Sequence, residues 1–191
     1  MNRGRPRSEE ARQAILKTAL EMCMRDGYPQ LTIKALADEA GVGRQTVYRW
    51  WDEKSAIVVE ALIDLREREL PERFQETGDT LVDVEQLLAT TYELTHEYTG
   101  KALVGLMADA QSDAGLSDRL QETVIGPRRD ALRDILGHGV ETGQLRENVP
   151  LPLVVDFAFG TMWYRMLSRH APVDRELARD ITDAIAIMLA V

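Results

Sequence analysis

Apolar positions recur with helical spacing along almost the whole chain. Ile15, Leu16, Ala19, Leu20 and Cys23 fall at i, i+1, i+4, i+5 and i+8, one face of a helix predicted from about Ser8 to Asp26, with Ser8 as N-cap and Gly27 as stop. Thr32 can cap a short second helix whose face is Ile33, Leu36, Ala37 and Ala40, and Gly41-Val42-Gly43 ends it. A third helix has room only from about Arg44 to Trp51. Asp52 then caps a fourth, striped by Ile57, Val58, Ala61, Leu62 and Leu65 and ended by Pro71.

Residues 72–80 are polar and read as a connection. Val84, Leu87, Leu88, Thr91, Thr95 and Tyr98 share the face of one helix, and Leu103, Leu106, Met107 and Ala110 that of the next, with Gly100 and Gly115 as punctuation. A long stretch follows from about Ser117 to Thr142, kinked or split by Pro127. Pro150 and Pro152 open a helix that reaches about Arg169. Asp174 caps the last one, which carries Ile181, Ala184, Ile185, Met188 and Leu189. Nothing alternates with period two over a useful length, so the pattern predicts an all-α protein of about nine helices, without internal repeats.

The chain has 191 residues, 45% hydrophobic and 29% charged, enough for a packed core and with no apolar run of the roughly 20 residues that span a bilayer. The basic start MNRGRPR runs into charged SEEARQ rather than an apolar stretch, so no secretory signal is expected, and the cytoplasm is the expected location. Cys23 is the only cysteine, which excludes an intrachain disulfide framework and reads as a buried, inert thiol. Neither a metal nor another cofactor is expected.

The net charge of -9 argues against nucleic acid until it is divided along the chain. Residues 1–54 carry 10 Lys+Arg against 8 Asp+Glu, or +2, while 55–191 carry 13 against 24, or -11. Phosphates would attract the first segment and repel the second, so the asymmetry orients any encounter with a polyanion.

The lengths of the second and third helices and the glycine-flanked turn between them are those of a helix-turn-helix, whose second helix fits a major groove. Val47 and Trp51, four apart, point inward, which turns Arg44, Gln45, Tyr48 and Arg49 outward. Arginine can bond a guanine edge twice, glutamine an adenine edge, and a tyrosine hydroxyl a phosphate.

The run from Leu31 to Leu62 resembles the DNA-binding segment of TetR-family transcriptional regulators. Thr32, Ala40, Gly41, Val42, Thr46, Val47, Tyr48 and Lys54 match the family pattern, and the similarity spans about 50 residues with Ile15 to Gly27 included. Trp50-Trp51 is a departure, standing where histidine-phenylalanine is commoner; Trp51 can replace the buried aromatic and Trp50 reads as scaffold. The resemblance implies phosphate contacts by Thr46, Tyr48 and Lys54 and base-edge contacts by Arg44, Gln45 and Arg49, with Thr32 also among the DNA-binding residues. Free amides at the start of helix four would reinforce an anion site at Lys54. The start RGRPR, with Arg3, Arg5 and Arg7, resembles an AT-hook core, whose arginines enter a narrow minor groove.

Ile125 to Leu167, with its Pro-Arg-Arg helix, Gly-x-Leu turn and Gly-x-x-Trp-Tyr-Arg helix, resembles the carboxy-terminal half of a TetR subgroup. The resemblance implies an apolar ligand cavity and a homodimer formed by the last two helices, whose apolar stripes need a place to be buried. Candidate ligand contacts are Tyr92, His96, Met107, Trp163 and Tyr164, with Phe157, Phe159 and Met166 behind them; as core residues they would serve equally well. Residues 1–54 are therefore expected to form the DNA-binding domain and 55–191 the regulatory and dimerisation domain, joined by helix four, about 52–70. The expected protein is a homodimeric repressor on a near-palindromic duplex, released by a small apolar or aromatic effector. The alternatives are a DNA-binding dimer without an effector and, more remotely, an enzyme. His96, His138 and His170 lie on different predicted helices and no Gly-x-Ser-x-Gly or phosphate loop occurs, so the enzyme reading has no motif behind it.

Overall fold

A computed structural model describes residues 5–73 and 75–191, with side chains from 9 to 69 and from 75 onward. All regular structure among the described residues is helical: α1 (Arg5–Asp26), α2 (Ile33–Glu39), α3 (Arg44–Tyr48), α4 (Lys54–Arg73), α5 (Thr80–Leu94), α6 (Gly100–Ala110), α7 (Ala114–Leu120), α8 (Gly126–Glu141), α9 (Leu151–Ser168) and α10 (Arg175–Met188). A 3-10 turn at Tyr28–Gln30 follows α1, and π turns at Thr95–Thr99 and Gln121–Ile125 join α5 to α6 and α7 to α8. Counting each joined pair as one bent helix gives eight, close to the expected nine.

The cap chemistry is local, and at Thr32 and Asp174 it is as the sequence predicts. The Thr32 hydroxyl accepts the Ala35 N–H at 3.2 Å, and the Asp174 carboxylate accepts the Leu177 N–H at 3.0 Å. Asp79, which the pattern does not single out, caps α5 by accepting from Leu81 and Val82. Several boundaries differ from expectation: α3 ends at Tyr48 rather than Trp51, and α7 begins at Ala114, with Gly115 inside it, rather than at Ser117. α1 begins at Arg5, which places Ser8 inside it, and α4 begins at Lys54, which makes Glu53 rather than Asp52 the preceding residue. α4 also continues through Pro71 to Arg73: a proline forfeits its own amide bond, and here that loss falls in the final turn.

Pro127 bends its stretch through a π turn. The turn brings the Gln121 carbonyl oxygen to 2.5 Å from where a β-carbon on Gly126 would stand, so only glycine fits directly ahead of the proline. Before the other π turn, Thr91 and Thr95 spend their hydroxyls on the carbonyls four residues back, Leu87 and Thr91, each at 2.7 Å, a pattern that bends helices.

The chain forms two compact units. One holds the chain to Arg66 with Tyr98–Leu120; the other holds Glu67–Glu97 with Gln121–Val191. The partition therefore differs from one cut after Lys54, because α6 and α7 cluster with the amino-terminal helices and α4 contributes to both units. In the first unit Ile15, Leu16, Ala19, Cys23, Leu36, Val47, Ile57 and Val58 form the core. α6 joins it at Gly105, against the ring of Tyr28. In the second unit α10 lies along α5, α5 on α8 and α8 on α9, around Leu88, Tyr92, Leu132, Leu136, Val154, Ala158, Phe159, Leu177 and Ile185.

Candidate nucleic-acid interface

The turn between α2 and α3 is set by glycine. Gly41 has φ +68°, a conformation that a β-carbon disfavours, and its neighbours close a helix-ending motif in which Val42 N–H donates to Ala37 O at 3.0 Å and Gly41 N–H to Asp38 O at 3.3 Å. The chain leaves that turn and enters α3 at once. Val47 has no exposed surface and Trp51 has 4%, so together they hold α3 down. Burial of two such side chains stabilises by about 1.5–3 kcal/mol each.

Pinning α3 by Val47 and Trp51 leaves Arg44, Gln45, Tyr48 and Arg49 exposed, with Tyr48 at 54%, and Thr46 half-buried. Four of the expected contacts therefore share one surface. Thr32 is also exposed, its hydroxyl accepting the α2 cap bond. Arg3, Arg5 and Arg7 lie outside the residues whose side chains the structure describes.

Lys54 has a structural partner as well. Its ammonium donates to the Tyr28 carbonyl at 3.3 Å and lies 4.3 Å from the centroid of the Tyr28 ring. It thus ties the start of α4 to the turn after α1. Tyr28 itself is 1% exposed, and its hydroxyl has no hydrogen-bond partner among the described residues. Burial, and next the nearby Asp109 carboxylate, push the phenol above its ordinary range. Cys23 is buried beside this cluster, and burial pushes its thiol up to about 11, the protonated and unreactive form at neutral pH.

The brace behind α3 is not evident from periodicity. The Trp51 indole N–H donates to Glu60 of α4 at 2.6 Å, and Glu60 also pairs with Arg12 of α1. Glu60 reads as a solvent-face residue by pattern; the only signal for it is that a buried indole N–H needs an acceptor. Arg25 forks onto Glu39 at 2.8 and 2.9 Å, joining the end of α1 to α2.

The five ligand candidates are not brought together within either unit. Tyr92 is fully buried and its hydroxyl donates to Ala158 O at 2.9 Å, which fixes α5 to α9. His96 is exposed on the π turn, so it does not share the inward face of Tyr92 as an unbroken helix would require. Trp163 packs half-buried on the core of the second unit, Tyr164 is 65% exposed, and Met107 belongs to the first unit. Phe159 and Met162 are core.

Along α9, Leu153, Phe157, Gly160, Tyr164 and Leu167 recur at i, i+4, i+7, i+11 and i+14. Leu153, Tyr164 and Leu167 are more than half exposed, and Ile187 of α10 is 79% exposed. These positions put exposed apolar side chains along one face of α9. No helix among the described residues is long and apolar enough to cross a membrane.

Residues 15–61 match the family described as bacterial regulatory proteins, tetR family, and residues 74–185 match the tetracyclin repressor-like C-terminal domain. The chain is 27% identical over 179 residues to the HTH-type transcriptional regulator YdeS of Bacillus subtilis (strain 168), across 94% of this chain and 89% of that one. Among solved structures, the TetR family transcription regulator SCO0332 superposes with a TM-score of 0.72 at 27% identity, covering 95% of this chain and 100% of that one. The Bacillus subtilis transcriptional regulator FadR, solved in complex with stearoyl-CoA, shares the fold with a TM-score of 0.71 at 20% identity, over 93% and 97% of the two chains.

Proposed function

Because the chain belongs to the TetR family of transcriptional regulators, we propose that this DNA-binding regulator is a homodimeric repressor that reads a near-palindromic operator with the outward face of α3. One observation carries the reading: with Val47 and Trp51 buried, Arg44, Gln45, Tyr48 and Arg49 are exposed together on the helix that follows the glycine turn. Arg44, Gln45 and Arg49 take base edges; Thr32, Thr46, Tyr48 and Lys54 take phosphates; Arg3, Arg5 and Arg7 follow the backbone or the minor groove. Residues 1–54 make the DNA contacts and 55–191 regulate and dimerise. The α9 stripe with Ile187 is the face a second copy covers, which spaces two recognition helices about one turn of DNA apart, roughly 34–36 Å. The protein acts in the cytoplasm, where its DNA is.

An apolar or aromatic effector in the carboxy-terminal half releases the operator through α4, whose residues belong to both compact units. A coupling of about 1–3 kcal/mol, or 5- to 150-fold in DNA affinity, is sufficient. The second reading, a dimer with no small-molecule effector, is favoured by the dispersal of Tyr92, His96, Met107, Trp163 and Tyr164. A thermal-shift screen separates the two: a ligand far above its Kd raises stability by a few kcal/mol. Long-chain acyl-CoA belongs in that screen as one arm, since the FadR neighbour is a stearoyl-CoA complex.

Selection of duplexes from a random-sequence pool on the purified chain tests the DNA reading. Enrichment of an inverted repeat with half-sites one helical turn apart supports it. An asymmetric site bound by one protomer, or no enrichment, overturns it.

A further inference from the structure

Trp50 departs from the family pattern, and in the structure it has a partner. The Arg49 guanidinium carbon lies 4.8 Å from the centroid of the Trp50 ring. Trp50 meets Trp51 edge-on, with centroids 5.4 Å apart and planes at 75°. Trp51 is immobilised in turn, 4% exposed and bonded to Glu60, which also holds Arg12. An exposed arginine on the recognition surface therefore rests on an aromatic ledge anchored to α4 and α1.

We propose that Trp50 is a positioning residue for DNA recognition: its ring face orders the Arg49 guanidinium before the duplex arrives. The proposal rests on the reading that the outward face of α3 binds DNA. A cation within about 6 Å of a tryptophan centroid is attracted by the ring quadrupole. The guanidinium is planar, and its N–H fork has the geometry for two parallel bonds to a guanine edge or a phosphate. An unheld arginine must give up its rotamer freedom on binding; one already stacked gives up less. Trp50 acts through Arg49 and needs no contact with DNA of its own.

The test uses the full chain, the tightest duplex selected from a random pool on the wild type, and an unselected random duplex. Variants are R49A, W50A, W50F, W50L and the R49A/W50A double. Positioning predicts that W50A and W50L weaken binding to the selected duplex about tenfold, that the double is no weaker than R49A, and that W50F stays within about twofold of wild type. Random-duplex affinity changes by less than about twofold in W50A. Leucine keeps the apolar bulk without a π face, so the W50F/W50L contrast decides the matter even where W50A is poorly folded. In the DNA-free protein the Arg49 side-chain N–H resonance carries a ring-current shift that W50F keeps and W50A and W50L lose. Strictly additive losses in W50A and R49A, or equal binding by W50F and W50L, overturn the proposal. A wild type that prefers no duplex while the ring-current shift is present overturns the DNA reading instead, and the role of Trp50 with it.

Discussion

Tyr28 and Gly105 touch so closely that neither position has a spare atom: a β-carbon on Gly105 would stand 2.5 Å from Tyr28 Cβ and 2.6 Å from its ring. The contact closes α6 onto the turn after α1, inside the first compact unit. Gly105→Ala is therefore expected to destabilise the protein by about 1–3 kcal/mol, the usual cost of overpacking a filled core. Urea unfolding measures it, and a midpoint unchanged from wild type would show that Tyr28 can yield.

Lys54 is expected to serve both stability and DNA. Lys54→Ala loses the contact with the Tyr28 ring, about 0.5–2 kcal/mol of stability, and lowers the slope of log affinity against log salt by about 1. If thermal melts shift and the salt slope does not, the lysine only holds the fold together.

Alkali should loosen the core from Cys23 onward. The ordinary value of a thiol is about 9, and burial in the folded chain pushes Cys23 up to about 11. Below the first value the two states bind the same proton and stability does not change. Between the two values the unfolded state has lost a proton that the folded state keeps, so stability falls as pH rises, by about 2–3 kcal/mol at the upper end. The raised phenols of Tyr28 and Tyr92 extend the fall to higher pH. Chemical denaturation between pH 8 and 11 follows the curve; Cys23→Ala should flatten its first part, and an unchanged profile in that variant removes the thiol from the account.

The exposed α9 stripe gives a sharp prediction for assembly. Tyr164→Glu with Leu167→Glu places two charges on the proposed interface, and light scattering is expected to find a dimer for the wild type and monomers for the double variant. Both side chains are exposed in the single chain, so its melting midpoint at low concentration should be preserved. A double variant that stays dimeric moves the interface elsewhere.

Local chemistry made much of this architecture legible from sequence. The caps at Thr32 and Asp174 and the glycine turn at Gly41 depend on neighbours a few residues away, and the i, i+4 spacing of Val47 and Trp51 fixes which side of α3 meets water. What the sequence does not display involves distance or register. The π turn at Thr95–Thr99 lengthens one turn of the helix, which a period of 3.6 does not anticipate, so Tyr98 ends 42% exposed and Thr99 is buried. Tyr92 finds its acceptor at Ala158, 66 positions along the chain, and Glu60 joins Trp51 to Arg12 from a position that looks solvent-facing. Such partners become visible only when the helices are packed.

The central claim is that the outward face of α3 reads bases. Salt-titrated binding of wild type and Arg44→Ala, each measured on the selected duplex and on a random one, tests it most directly. The account predicts that Arg44→Ala weakens the selected duplex by about 1–3 kcal/mol and the random duplex far less. Equal loss on both duplexes, or no loss on either, contradicts it.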